Sequence, residues 1–129
     1  NGQYQIKGLH NVKYVNFKNN GYRIANPSFA SDFPSLKELQ LSGNQLMSDH
    51  ILRNSFFDSN VHLQILNLSD VHLEEIEENV FSSLKELKIL DLSENKIHLI
   101  NINIRETSLT RLWILQIIPY FVTAATFLF

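Results

Sequence analysis

The feature that most constrains this chain is an aliphatic pattern that occurs twice between residues 63 and 97. Its four aliphatic positions recur at one constant offset, so that Leu63, Leu66, Leu68 and Leu73 return as Leu87, Leu90, Leu92 and Ile97. The second copy carries Asn95 shortly before its last aliphatic position and reads LxxLxLxxNxI. A unit this short cannot bury its own apolar side chains, and stacking of similar units makes a continuous core. The repeat therefore predicts a solenoid.

The central Leu-x-Leu of each copy has the alternating period of a strand. On such a strand Leu90 and Leu92 point inward, whereas Ile89 and Asp91 point to the other face. Because so short a strand is not stable by itself, a parallel neighbour about 4.8 Å away has to supply the hydrogen bonds. We expect short parallel strands near residues 13–18, 37–42, 64–69 and 88–93.

The same pattern extends in both directions along the chain. Residues 1–11 fit the end of a preceding repeat, and a further repeat start at Leu109 follows the one at Leu87. We therefore expect a repeat array over residues 1–111, with repeats that start near 12, 36, 63 and 87. The chain then reads as a piece of something longer.

The segments that return from one strand to the next carry large apolar side chains, which should fill the back of the coil. Pro27 and Pro34 oppose a regular helix in the first return segment. In the second, four apolar residues have the spacing of one or two helical turns with an apolar face: Ile51, Leu52, Phe56 and Phe57. The third runs from Leu73 to Leu84 and continues the pattern as LxxLxxxxFxxL.

These motifs resemble the leucine-rich repeat family over residues 1 to about 114. The resemblance implies an α/β-type solenoid: a right-handed coil with a short parallel β-sheet, four to five repeats, and irregular or short-helical return segments. The unequal intervals between the repeat starts are most similar to extracellular members of the typical type, including Toll-like receptor ectodomains. The resemblance also implies a recognition module that binds proteins on the surface of its stacked strands.

The asparagine position of the repeat is filled by Asn20, Asn44 and Asn95. Each amide can satisfy backbone groups where a strand ends, in a place too dry for water, so we expect these residues to form a structural asparagine ladder. Val71 and Ile117 break the pattern. A tolerated irregularity and a local change of curvature both account for the gap at Val71.

Outward positions of the strands stack into columns. One column reads Tyr14, Glu38, Ile65, Ile89 and Arg111, and the next reads Asn16, Gln40, Asn67, Asp91 and Trp113. Paired apolar residues rimmed by amides and carboxylates suit a protein contact, although isoleucine also fits a pleated sheet by propensity alone. We predict a partner-binding surface made of Ile65, Asn67, Ile89, Asp91 and Trp113.

Asn67-Leu68-Ser69 is an N-glycosylation sequon, whereas Pro27 disqualifies Asn26-Pro27-Ser28. A sugar on Asn67 would cover part of the strand surface. Asn67 is thus a candidate glycosylation site as well as a candidate contact residue.

Residues 112–129 form an apolar segment without a charge. As a helix it would run about 27 Å, just short of a hydrocarbon core of about 30 Å. A fifth repeat, a cap on the solenoid core, a truncated tail and a membrane helix are the interpretations left open. Contact with a membrane through Leu112–Phe129 follows from the last of these.

Composition excludes several classes of function. The net charge of −2, without a basic cluster, argues against nucleic acid. The absence of cysteine excludes disulfides and thiolate sites, although extracellular members of the family usually close their ends with disulfide-bonded caps. The chain carries no catalytic motif such as GxGxxG or HExxH, so we expect no enzyme, no cofactor and no metal site.

We therefore expect a ligand-binding or dimerising fragment of a cell-surface receptor, whose partner is a protein ligand or a second receptor chain. A secreted or matrix structural protein and an intracellular scaffold are the alternatives. The missing cysteines permit a cytoplasmic location, and the sequon favours an extracellular one.

Overall fold

The computed structural model describes residues 9–100 and 111–113, with side chains over residues 9–98. One short 3-10 helix, Phe29–Asp32, lies in this part of the chain. The strands of the same residues are β1 (Tyr14–Asn16), β2 (Arg23–Ile24), β3 (Glu38–Gln40), β4 (Gln45–Leu46), β5 (Ile51–Leu52), β6 (Ile65–Asn67), β7 (Glu75–Ile76), β8 (Ile89–Asp91), β9 (Leu99–Ile100) and β10 (Arg111–Trp113).

The main sheet has the order β1-β3-β6-β8-β10, and every neighbouring pair is parallel. Its register is constant: Leu39, Leu66, Leu90 and Leu112 follow one another as partners across β3, β6, β8 and β10. The predicted parallel coil is confirmed. β1, β3, β6 and β8 are each shorter than the span expected from the sequence.

The core lies directly behind the main sheet. The leucines predicted to point inward are all fully buried: Leu39, Leu41, Leu66, Leu68, Leu90 and Leu92. Val15 occupies the same position in β1 and keeps 7% of its surface exposed. Because each leucine packs between the layers above and below it, the interior repeats bury their side chains more completely than the first repeat does.

The opposite side of the coil carries two smaller parallel sheets, β2-β4 and β5-β7-β9. Phe57 and Phe81 stack behind them, with ring centroids 6.1 Å apart. The helical turn expected over the second return segment is not present, because Ile51 and Leu52 instead pair with Glu75 and Ile76. Leu52, Phe56 and Phe57 of that segment nevertheless lie in the core, whereas Ile51 is half-buried.

The longer second repeat places its extra residues in a tight turn before β5. The chain from Glu38 to Ile51 is longer than the chain between their strand partners, Ile65 and Glu75. The His50 N–H donates to the Met47 carbonyl at 3.2 Å. Met47 and His50 both adopt left-handed backbone, with φ of 62° and 64°. The insertion therefore projects as a loop and leaves the strand register unchanged.

Asn60 is a buried polar residue that the sequence pattern did not reveal. It stands before Leu63 in the position that Leu84 holds before Leu87. Its Nδ2 donates to the carbonyl oxygens of Ala30 at 2.9 Å and Phe33 at 3.0 Å. Asn60 thus satisfies the end of the 3-10 turn in the layer below, which an aliphatic residue could not do.

Candidate interaction surface

The outward side of β1, β3, β6, β8 and β10 forms one continuous surface, called the strand face below. Tyr14 is 68% exposed at one end of it, whereas Ile65 and Ile89 are half-buried. The two isoleucines are partners in the register of β6 and β8. They therefore form an apolar pair that is only partly open to solvent, because strands lie on both sides of each.

The neighbouring column of the strand face is polar and locally bonded. The Asn67 Oδ1 accepts hydrogen bonds from the Ser69 N–H at 2.9 Å and the Ser69 hydroxyl at 2.8 Å. The Asp91 Oδ1 accepts the same pair from Ser93, at 2.9 Å and 2.6 Å. Asn67 and Asp91 thus end their strands through a side chain that closes a turn on its own backbone.

Polar residues of β3 are also held by side-chain contacts. The Gln40 Nε2 donates to the Glu38 Oε1 at 2.9 Å. The Gln40 Oε1 is buried and has no hydrogen-bond partner within the described residues. Asn67 therefore lies between two polar register neighbours. On one side is Gln40, whose Oε1 is an unused hydrogen-bond acceptor, and on the other side is Asp91.

Trp113 lies in β10 beside Asp91, and Arg111 lies beside Ile89. The fold therefore brings Ile65, Asn67, Ile89 and Asp91 together and aligns the backbone of Trp113 with them. Of the predicted apolar segment 112–129, the part from residue 114 onward lies outside the described residues.

Asn44 holds the bends of the first and second repeats. It is 2% exposed, and its Nδ2 donates to the carbonyls of Phe17 and Leu41, at 2.8 Å each. The Tyr22 N–H donates to its Oδ1 at 3.0 Å. One amide therefore satisfies backbone groups that belong to two successive strand ends.

Asn95 does the same for the third and fourth repeats. It is 5% exposed and donates to the carbonyls of Leu68 and Leu92, at 2.7 Å and 3.0 Å. The N–H groups of Val71 and Leu73 donate to its Oδ1, at 3.0 Å and 3.1 Å. The bend at Val71 is thus held by the asparagine of the following repeat.

Asn20 does not join this ladder. It is exposed, and its side chain makes no hydrogen bond within residues 9–100 and 111–113. Asn44 reaches back to the strand end before it, and by the same geometry Asn20 would serve a strand before β1. Within the described residues no such strand is present, so Asn20 has no bend to hold there.

A left-handed residue precedes the asparagine position in every bend, at Asn19, Gly43, Asp70 and Glu94. Gly43 has φ of 75°, and a Cβ placed on it would collide with the Asn19 side chain and lie 3.0 Å from the Asn19 Cα. Close approach between the first two layers therefore requires glycine at this position. Asn19, Gly43 and Asp70 are of the residue types that adopt left-handed backbone most readily, so they could have indicated these turns, whereas Glu94 could not.

Ion pairs lie at the surface. The Arg53 Nη2 lies 2.7 Å from the Asp49 Oδ2, and this hydrogen bond lowers the pKa of the Asp49 carboxyl below its ordinary value. His98 and Glu75 approach within 3.6 Å. Exposed pairs of this kind stabilise a fold weakly. Across the part of the chain that the structure describes, no three metal-ligating side chains form a group able to hold an ion.

Family models match the segments that carry this geometry. A model described as leucine rich repeat matches residues 61–112, and a second of the same description matches residues 35–58. The chain belongs to the leucine-rich repeat family. Members of the family are recognised by the regular spacing of their core leucines. In this chain that spacing places Leu39, Leu66 and Leu90 in register across the main sheet.

One similar protein is the CD180 antigen of Mus musculus. The two are 30% identical over 95 residues, which is 74% of this chain and 14% of that relative. The chain thus spans about one seventh of the protein it matches. In the described ranges, 9–100 and 111–113, no helix has the length and apolar character needed to cross a bilayer.

Proposed function

We propose that this leucine-rich repeat chain is a protein-recognition fragment of a cell-surface receptor. In this proposal the repeat array over residues 1–111 presents the strand face to a protein ligand or to a second receptor chain. The similarity to the CD180 antigen supports the extracellular location. The in-register apolar pair Ile65 and Ile89 is the observation that carries the choice of surface.

The strand face suits recognition for two physical reasons. Parallel pairing fixes its backbone, so its side chains are presented at little cost in conformational entropy. An apolar pair beside Asn67 and Asp91 also combines a dry centre with a polar rim, the usual anatomy of a protein interface. The opposite side of the coil carries the acidic residues Glu74, Glu75, Glu77 and Glu78 and an uneven set of turns.

The test compares two single substitutions in β8, one of a residue on its outward face and one of a residue on its inward face. Ile89→Glu should abolish binding in a screen of the full-length protein against secreted and membrane ectodomains, or abolish its self-association, while leaving the thermal unfolding midpoint unchanged. Leu90→Glu, its inward neighbour, should prevent folding because it buries an unpaired charge.

The matched control lies on the opposite side. Glu78→Lys introduces a charge change at an exposed position and should leave binding intact. If Ile89→Glu binds normally, and reversal of the charges at Glu74, Glu75, Glu77 and Glu78 abolishes binding, the acidic side is the working surface and the assignment of the strand face is wrong.

A further inference from the structure

We infer that Asn67 carries an N-linked glycan, which stands on the strand face and covers part of the surface that a partner could contact. The inference rests on the proposed function in one respect, since an extracellular protein meets the enzyme that glycosylates sequons. The sequon alone is a short pattern. Three structural observations add to it.

The first observation is that the fold does not use the Asn67 amide nitrogen. The turn at Asn67 is closed by its Oδ1 alone, through Ser69. Asp91 closes the equivalent turn in the next strand with the same oxygen and the same two bonds from Ser93. Because aspartate has no amide nitrogen, the structural role of this position does not require Nδ2.

The second observation is that Nδ2 reaches solvent. It donates no hydrogen bond to the described residues, and it is not among the buried polar atoms that lack a partner. By contrast, the Nδ2 atoms of Asn44 and Asn95 are each held by backbone carbonyls. Of these three asparagines, Asn67 is the one with an amide available for modification.

The third observation concerns room for a sugar. In the column that follows Asn67 on the strand face, the exposed Lys18 of the first repeat is succeeded by small residues, Ser42, Ser69 and Ser93, all half-buried. On the other side stands the larger Ile65. Because Ser69 holds Oδ1, Nδ2 lies on the far side of the amide from Ser69, and a sugar attached to it would stand beside Gln40 and Asp91, the polar register neighbours of Asn67.

The chemistry is a group transfer from a lipid-linked oligosaccharide. A bond forms between the Asn67 Nδ2 and the anomeric carbon of the donor sugar. The bond from that carbon to the pyrophosphate oxygen breaks, the lipid pyrophosphate leaves with the electron pair, and the amide nitrogen loses one proton. The sequon hydroxyl, on Ser69, remains unmodified.

The experiment uses the full chain, secreted from mammalian cells behind a cleavable signal peptide. The wild-type protein should show a mobility shift that peptide N-glycosidase removes, and removal in heavy-oxygen water should label residue 67. Ser69→Ala and Asn67→Gln should both lose the shift. Ser69→Thr preserves the sequon and should retain it.

The neighbouring repeat supplies a matched gain-of-site variant. Asp91→Asn places an amide in the same turn, with Ser93 in the place of Ser69, and should add a second glycan. A secreted wild-type chain without a glycan overturns the inference. The result is clearest if the Asp91→Asn variant does carry a glycan at residue 91, because the cells are then shown to glycosylate this kind of turn. If that unmodified chain still binds through Ile89, the proposed function stands. If the Ile89→Glu variant is glycosylated at Asn67 and still binds normally, the proposed function is wrong and the inferred glycan is supported.

Discussion

The side-chain amide of Asn95 holds four backbone groups within 3.1 Å: the N–H groups of Val71 and Leu73 and the carbonyls of Leu68 and Leu92. A buried group that loses its partner costs far more than a typical hydrogen bond contributes. The importance of this residue therefore comes from the number of groups it serves rather than from the strength of any one bond.

Replacing Asn95 by leucine, which has similar bulk, should lower the free energy of unfolding by about 1–3 kcal/mol for each backbone group left unpaired. The matched control is Asn20→Leu, at an exposed position of the same repeat slot, which should change stability by less than about 0.5 kcal/mol. Urea denaturation of both variants measures the difference. Equal midpoints for the two would show that the bends are satisfied in another way.

The direction of several side chains can be predicted from the sequence, because each position of the repeat determines whether its side chain points into the core or away from it. Period alone predicts that Leu66 and Leu90 point inward, and both are buried. A position in the repeat does not predict which strand end its side chain reaches, which is why the pattern groups Asn44 with Asn20, whose side chain makes no hydrogen bond within the described residues. Nor does it predict a polar residue in an aliphatic slot, such as Asn60, since its partners belong to another turn of the coil.

At the scale of elements, the inner strands of the main sheet persist although they are short, because β3, β6 and β8 are each paired along both edges and covered from behind by the core. β8 lies between β6 and β10, and its central residue, Leu90, is fully buried. The same enclosure explains why Ile65 and Ile89 are less exposed than the sequence suggests. The site of the second-repeat insertion could not be predicted, because Ile51 and Leu52 fit a helix or a strand equally well by periodicity.

Leu90→Ala should destabilise the fold by about 2–5 kcal/mol, the usual range for truncation of a buried leucine. The cavity would open between two layers of the stack, where neither neighbour can shift without losing its own strand register. The exposed Lys18→Ala serves as the control. A thermal midpoint for Leu90→Ala equal to that of the control would contradict the assigned packing.

At the scale of the whole molecule, the two buried ladder asparagines are spaced so that each serves a pair of repeats. Asn44 joins the first and second bends, and Asn95 joins the third and fourth. Between the second and third bends the contacts come from the main chain, where the Leu46 N–H donates to the Val71 carbonyl at 3.0 Å. Valine is tolerated at position 71 because Asn44 already joins the first and second bends and Asn95 already joins the third and fourth.

In the part of the chain that the structure describes, the backbone N–H of Asn44 is left unpaired by this arrangement. The Asn44 N–H finds no hydrogen-bond acceptor within the described residues, whereas the equivalent N–H of Val71 bonds to Asn95. Val71→Asn would supply the missing acceptor, so amide hydrogen exchange at Asn44 should slow. Overall stability should change by no more than about 1 kcal/mol, because the new bond offsets the lost burial of valine. Unchanged exchange at Asn44 would contradict the pairwise arrangement.

The pairing of bends also bears on how the coil responds to mechanical load. A solenoid pulled along its axis lengthens where adjacent turns are least cross-linked. Side-chain amides bridge the bends on either side of the junction between the second and third repeats, and within the described residues none does so at that junction. Under tension along the axis, the bend side of this junction would therefore lengthen first, at the 3.1 Å contact between the Gly43 N–H and the Asp70 carbonyl. The return side of the same junction stays cross-linked by the hydrogen bond from the Asn79 N–H to the Asn54 Oδ1 at 3.0 Å.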